Sequence, residues 1–144
     1  MPPIQDAGTL RVLSISPLEE DHSSLQSIIA HTRWKLLKTG SPSVAFPILR
    51  RADISVIVCE QDLGMVKWTA LLDHLNKFPH PPSLIVTSRL ADDRFWAEAL
   101  NLGAWDVLAK PFDRTEVLRT VRAAWQHWHH RTSVRAEGIL RAAS

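Results

Sequence analysis

A chain of 144 residues, 45% hydrophobic and 22% charged, has the size and composition of one globular domain that can bury a core without disulfides or a structural metal. Its single cysteine, Cys59, excludes an internal disulfide and suits a reducing compartment. The net charge is only +2, but the segment from Lys110 onward carries +4 and the remainder −2, a basic bias that fits a solvated helix face and is small for a nucleic-acid binder.

Met1 to Leu10 holds no basic stretch followed by an apolar run, and no apolar stretch reaches the roughly 18 residues of a membrane helix, so a soluble cytoplasmic protein is expected. Leu10 to Ile15 reads as a first strand. Ser16, Pro17 and Glu19 follow as a capping box, with serine as N-cap and proline at the first helical position. The helix they open is expected to reach about His31, with Leu25, Ile28 and Ile29 inward and Glu20 and Asp21 on an exposed first turn. Trp34 to Lys38 is a second strand. Ser41-Pro42 opens a helix to about Arg51 that the internal Pro47 makes short or irregular.

Ile54 to Cys59 is a nearly continuous β-branched run, the mark of a strand covered on both faces. A loop over 61–66 leads to a helix from Trp68 that Pro79 to Pro82 end. Leu84 to Thr87 is another buried strand, Ala91 to Leu102 a helix with Gly103 as its C-terminal cap, and Trp105 to Ala109 the last strand. Asp113 and Glu116 cap a final helix to about His130, beyond which Gly138 leaves a helical continuation open. Five strands alternating with five helices predict an α/β fold, a doubly wound five-stranded parallel sheet. The expected organisation is a tail over 1–9, a domain over 10–130, and a basic tail or helix extension over 131–144.

In such folds the working residues lie beyond the carboxyl ends of the strands. Those positions hold Ser16 and Pro17, Glu60 with Gln61 and Asp62, Thr87 and Ser88, and Lys110 with Pro111 and Phe112. A carboxylate, a hydroxyl and an ammonium are thus expected to converge on one sheet edge.

The run Gly103-Ala104-Trp-Asp-Val-Leu-Ala-Lys110-Pro111-Phe112 and the strand Leu84-Ile-Val-Thr87-Ser88 resemble, in order and spacing, the corresponding segments of response-regulator receiver domains, the CheY-like family. The resemblance implies the flavodoxin-like (βα)5 fold and a place in two-component or phosphorelay signalling. In that family two acids after the first strand and an aspartate after the third bind Mg²⁺, and the aspartate takes a phosphoryl group.

This chain departs from the pattern at the chemistry. Ser16 and Pro17 stand at the acid-pair positions, with Glu19, Glu20 and Asp21 close behind as a lesser alternative for the lost ligands, and Glu60 stands at the phosphoacceptor position. Glu60 is expected to reach toward Lys110 and Thr87, either as a built-in mimic of the switched-on state or as a plain salt bridge. Val107 replaces the aromatic that couples to the switch threonine, with Trp105 expected on the same strand face by period two. The resulting expectation is a non-enzymatic pseudo-receiver without cofactor or metal, acting through a protein partner. A homodimer through the face of the fourth helix, fifth strand and fifth helix is a further expectation, with Trp96, Trp125 and Trp128 as interface candidates. The alternatives are a remodelled Mg²⁺ site phosphorylated on Asp62 and, below it, nucleic-acid binding through the basic C-terminal segment. His127 and His130 share a helix face but lack further ligands in the sequence, and Cys59 reads as buried filler.

Overall fold

The computed structural model describes residues 10–143; the tail expected over 1–9 and Ser144 lie outside the described residues. In chain order the elements are β1 (Arg11–Ile15), α1 (Glu19–Ile29), β2 (Lys35–Thr39), α2 (Pro42–Arg51), β3 (Val56–Glu60), α3 (Trp68–Leu75), β4 (Ser83–Ser88), α4 (Asp93–Leu102), β5 (Asp106–Ala109) and α5 (Arg114–Ala143). The strands form one parallel sheet in the order β2-β1-β3-β4-β5. This is the flavodoxin-like doubly wound fold that the alternation of elements predicts. The chain leaves β1 toward one edge and returns on its other side as β3, so the crevice beyond the carboxyl ends of β1 and β3 is the topological switch point.

Period-two alternation divides the buried side chains between two layers. Leu13, Ile15, Ile57, Cys59 and Val86 face α2, α3 and α4, where Ala45, Leu49, Leu71, Leu75 and Ala99 meet them. Val12, Val56, Val58, Ile85 and Leu108 face α1 and α5, where Leu25, Ile29, Val117, Val121 and Ala124 meet them. Every residue of β3 and of β4 is buried, as expected of central strands covered on both sides.

Local signals explain the starts of α4 and α5 and the end of α4. Asp92 accepts a hydrogen bond from the Phe95 amide at 2.8 Å, and Asp113 accepts one from the Glu116 amide at 2.9 Å. Gly103 closes α4 at φ 124°, which its lack of a side chain permits. Pro47 does not break α2: the helix continues to Arg51, and Pro47 and Ser43 are both exposed, so water can reach the carbonyl that proline leaves unpaired. α5 spans 30 residues, so the segment beyond His130 continues as helix.

The start of α1 corrects the capping box. The helix begins at Glu19, with Leu18 at the N-cap and no side-chain cap. Ser16 Oγ instead accepts from the Leu18 amide at 3.1 Å and donates to Asp21 Oδ2 at 2.6 Å. The serine serves the site more than the helix.

Candidate functional site

Parallel register places Glu60, at the end of β3, opposite Thr87 on β4, and Thr87 opposite Leu108 on β5. Lys110 follows Leu108 by two residues. The carboxylate, the hydroxyl and the ammonium expected at one edge of the sheet are therefore brought to it by strand pairing alone.

The side chain that completes the site is one expected elsewhere. Asp21 is not on an exposed turn; it is 5% exposed, and both its oxygens accept from Lys110 Nζ, at 2.9 and 3.1 Å. Asp21 lies four and seven residues before Leu25 and Ile28, so it shares their inward face, one turn back. His22 beside it is also buried. Its Nδ1 pairs with Ser14 Oγ at 2.9 Å and its Nε2 with the Ser16 carbonyl at 3.0 Å, which pins the first turn of α1 to the end of β1. Glu20 does stay at the surface, in an exposed ion pair with Arg89 at 2.8 Å.

Lys110 Nζ also lies 2.5 Å from Glu60 Oε1, an ion pair formed by proximity rather than by a directed hydrogen bond. Glu60 Oε2 accepts from the Asp62 amide at 2.8 Å. Glu60 thus turns to Lys110 and to the backbone of its own loop, and the contact expected with the Thr87 hydroxyl is not formed. The three charged side chains are between 6% and 10% exposed. Burial acts to lower the Lys110 pKa, but the close contacts with Glu60 and Asp21, together with their charge, outweigh it and raise the pKa above that of an ordinary lysine. Burial, helped by the Glu60 charge, pushes the neighbouring Cys59 thiol far up, so this cysteine is inert.

An open cavity of about 730 Å³ lies over the site, lined among others by Leu18, Glu60, Asp62, Met65, Arg89 and Lys110. Asp62 is exposed, and its Oδ1 accepts from the Gly64 amide at 3.0 Å, a loop-stabilising contact away from Lys110. Ser88 Oγ donates to Gln61 Oε1 at 2.6 Å, which ties the β4 loop to the β3 loop across the cavity floor.

The site does not fit a divalent cation. Ser16 is turned to Asp21, Pro17 offers no side-chain oxygen, and the two carboxylates present are both engaged by Lys110. Among the described residues no group of three Asp, Glu, His or Cys side chains is placed to hold a metal. His127 and His129 instead lie against aromatic rings, His127 at 6.0 Å from Trp105 and His129 stacked at 4.9 Å on Trp125.

The tryptophans do not share one face. Trp96 on α4 is 46% exposed and donates to Asp106 Oδ1 at 3.1 Å, beside β5. Trp125 is half-buried against the α1–α5 layer, and half-buried Trp128 follows the inward residues Val117, Val121 and Ala124 at helical spacing. Trp96 alone of the three belongs to the exposed surface of α4 and β5. Trp105 precedes β5 and packs on the α5 side, whereas Val107 packs on the α4 side, so the two are on opposite faces. Period two does not extend past the strand's first residue, Asp106.

The model of the response regulator receiver domain matches residues 19–122. The response regulator protein FleR of Pseudomonas aeruginosa is 29% identical over 109 residues, which cover 72% of this chain and 23% of that protein. The chain thus spans about a quarter or less of the curated relatives it matches. The signal receiver domain of an HD domain-containing protein from Pseudomonas fluorescens Pf-5 superposes with a TM-score of 0.78 at 21% identity, covering 87% of this chain and 93% of that one. The beryllofluoride-activated NtrC4 receiver domain, a dimer, gives 0.74 at 21% identity over 82% of this chain and 98% of that one. No helix among the described residues is long and apolar enough to cross a membrane.

Proposed function

The chain belongs to the response regulator receiver domain family, and from that premise we propose that it is an atypical member whose phosphoacceptor position is permanently occupied by the Glu60 charge. It signals through protein contacts rather than by phosphoryl transfer, in the cytoplasm and without enzymatic activity.

One observation carries this reading: the ammonium of Lys110 is already held between Glu60 and Asp21. An ammonium has three N–H donors, and three carboxylate oxygens lie within 3.1 Å of it. An incoming phosphoryl group would find that lysine taken. It would also meet a buried site with one more negative than positive charge, which disfavours an anion. Val107 replaces the aromatic expected to move with Thr87, so the coupling that would report phosphorylation lacks its second partner. What remains is a fixed domain whose surface does the work. Trp96, exposed beside β5, is the natural anchor for a protein partner or a second copy.

The test is a titration with Mg²⁺ and beryllofluoride followed by tryptophan fluorescence. The expected result is no saturable change. A saturable, Mg²⁺-dependent response would overturn the reading and direct attention to a remodelled acceptor such as Asp62.

A further inference from the structure

The receiver fold implies a divalent cation among the acids of this edge, and the donor set here does not accommodate one. We infer that Lys110 has taken over that position and is the resident cation of the site, holding Asp21 and Glu60 together as a metal otherwise would. This deepens the proposed function, since it rests on the same side chains, but it makes a separate claim about metal.

Three features support it. First, the ammonium is centred among carboxylates from two distant elements, Asp21 of α1 and Glu60 of β3, with side chains at most 10% exposed. That is bridging rather than pairing. Second, each carboxylate is completed by a neutral donor, Ser16 Oγ for Asp21 and the Asp62 amide for Glu60. The remaining lone pairs are thereby oriented toward the cation. Third, the end of β1 supplies Ser16 and Pro17 rather than further carboxylates for a divalent ion, so the charge of Asp21 and Glu60 is met by the ammonium. Mg²⁺ needs oxygens at roughly 2.0–2.1 Å in an octahedron, and it cannot approach Asp21 and Glu60 while an ammonium lies between them.

Removing the ammonium should therefore unmask a cation site. Two carboxylates supplemented by water are a sufficient protein contribution for a divalent ion. The probe is Mn²⁺ alone, titrated into unphosphorylated protein and followed by the loss of free-ion signal in electron paramagnetic resonance. Wild type is expected to leave Mn²⁺ free. Lys110→Met is expected to bind it at least about tenfold more tightly, a difference of about 1.4 kcal/mol, and Lys110→Met combined with Asp21→Asn to lose it again. Lys110→Arg, which keeps the charge, is expected to bind none.

Should Lys110→Met not fold unaided, the same titration is read by far-UV circular dichroism. Mn²⁺, and not Na⁺ at matched ionic strength, should restore the fold. Binding of Mn²⁺ by wild type at the affinity of the variant would overturn the inference, and so would failure of Mn²⁺ both to bind and to refold Lys110→Met. Neither outcome depends on phosphoryl labelling, so a domain that binds metal and takes no phosphoryl group would sink this inference and leave the proposed function standing.

Discussion

Asp21 and Lys110 are 89 residues apart in the chain, and their charged atoms meet at 2.9 Å. The contact joins the first turn of α1, which follows β1, to the residue after β5, the edge strand on the far side of β3 and β4. It makes the site one buried charge cluster rather than a single salt bridge, and the cluster has unequal members. Lys110 is a single cation facing two carboxylates; each carboxylate shares the lysine with the other.

That inequality orders the effects of substitution. Lys110→Met leaves two buried carboxylates without a counter-ion and is expected to cost about 3–5 kcal/mol. Glu60→Gln leaves the Lys110–Asp21 pair intact and should cost about 1 kcal/mol. Urea denaturation followed by tryptophan fluorescence measures both. Equal costs would mean that Asp21 adds nothing to the pair.

The pH dependence has a definite sign. The Lys110 pKa is raised in the folded state, with burial opposing the stronger effects of Glu60 and Asp21. The stability it contributes is therefore fully present below the unfolded-state value of about 10.4 and is lost as pH rises through the higher folded value. The stability difference between wild type and Lys110→Met should stay flat from neutral pH to about 10 and shrink above it. A difference already falling at neutral pH contradicts the assignment.

Cys59 provides a check on the interior. It is fully buried on β3, and burial and the Glu60 charge raise its pKa. Iodoacetamide at mildly alkaline pH should leave it unmodified in the native protein and alkylate it in urea. Native-state alkylation would place it outside the core.

The tryptophans should separate by stability. Trp96→Ala removes a side chain that is 46% exposed and should cost less than about 1 kcal/mol. Trp125→Ala empties a half-buried position against the core layer under α1 and α5 and should cost about 2–4 kcal/mol. Sedimentation velocity on the same variants tests the surface: if the domain self-associates through the α4–β5 face, Trp96→Ala weakens the dimer.

Gly103 should not tolerate a side chain. Its φ is 124°, and a Cβ there would lie 3.2 Å from Leu72 Cδ2. Gly103→Ala is expected to destabilise by about 1–3 kcal/mol, measured by thermal unfolding.

The fold was legible because the strongest signals are continuous. The β-branched runs of β3 and β4, and the segment from Gly103 to Phe112, determine strand, helix cap and loop together. Glu60 and Lys110 were legible as strand-end residues. Asp21 was legible only as a lesser alternative, because Glu20 and Asp21 at a helix start suit the helix dipole and read as solvent-facing. The periodicity that would have corrected this was present: the inward positions Leu25, Ile28 and Ile29, carried one turn back, reach Asp21 and His22. The tryptophans misled for a related reason. α5 continues past the sheet, so its inward face still holds large aromatics where the sequence alone suggests an exposed interface.

A site in which Glu60 and Asp21 already hold Lys110 should take no phosphoryl group on any side chain, Asp62 included. Intact-mass spectrometry after incubation with acetyl phosphate and Mg²⁺ tests it most directly. An unchanged mass is expected for wild type, for Glu60→Gln and for Asp62→Ala. A stoichiometric phosphoryl adduct on wild type, lost in Asp62→Ala, would contradict it and establish the domain as a phosphorylatable regulator.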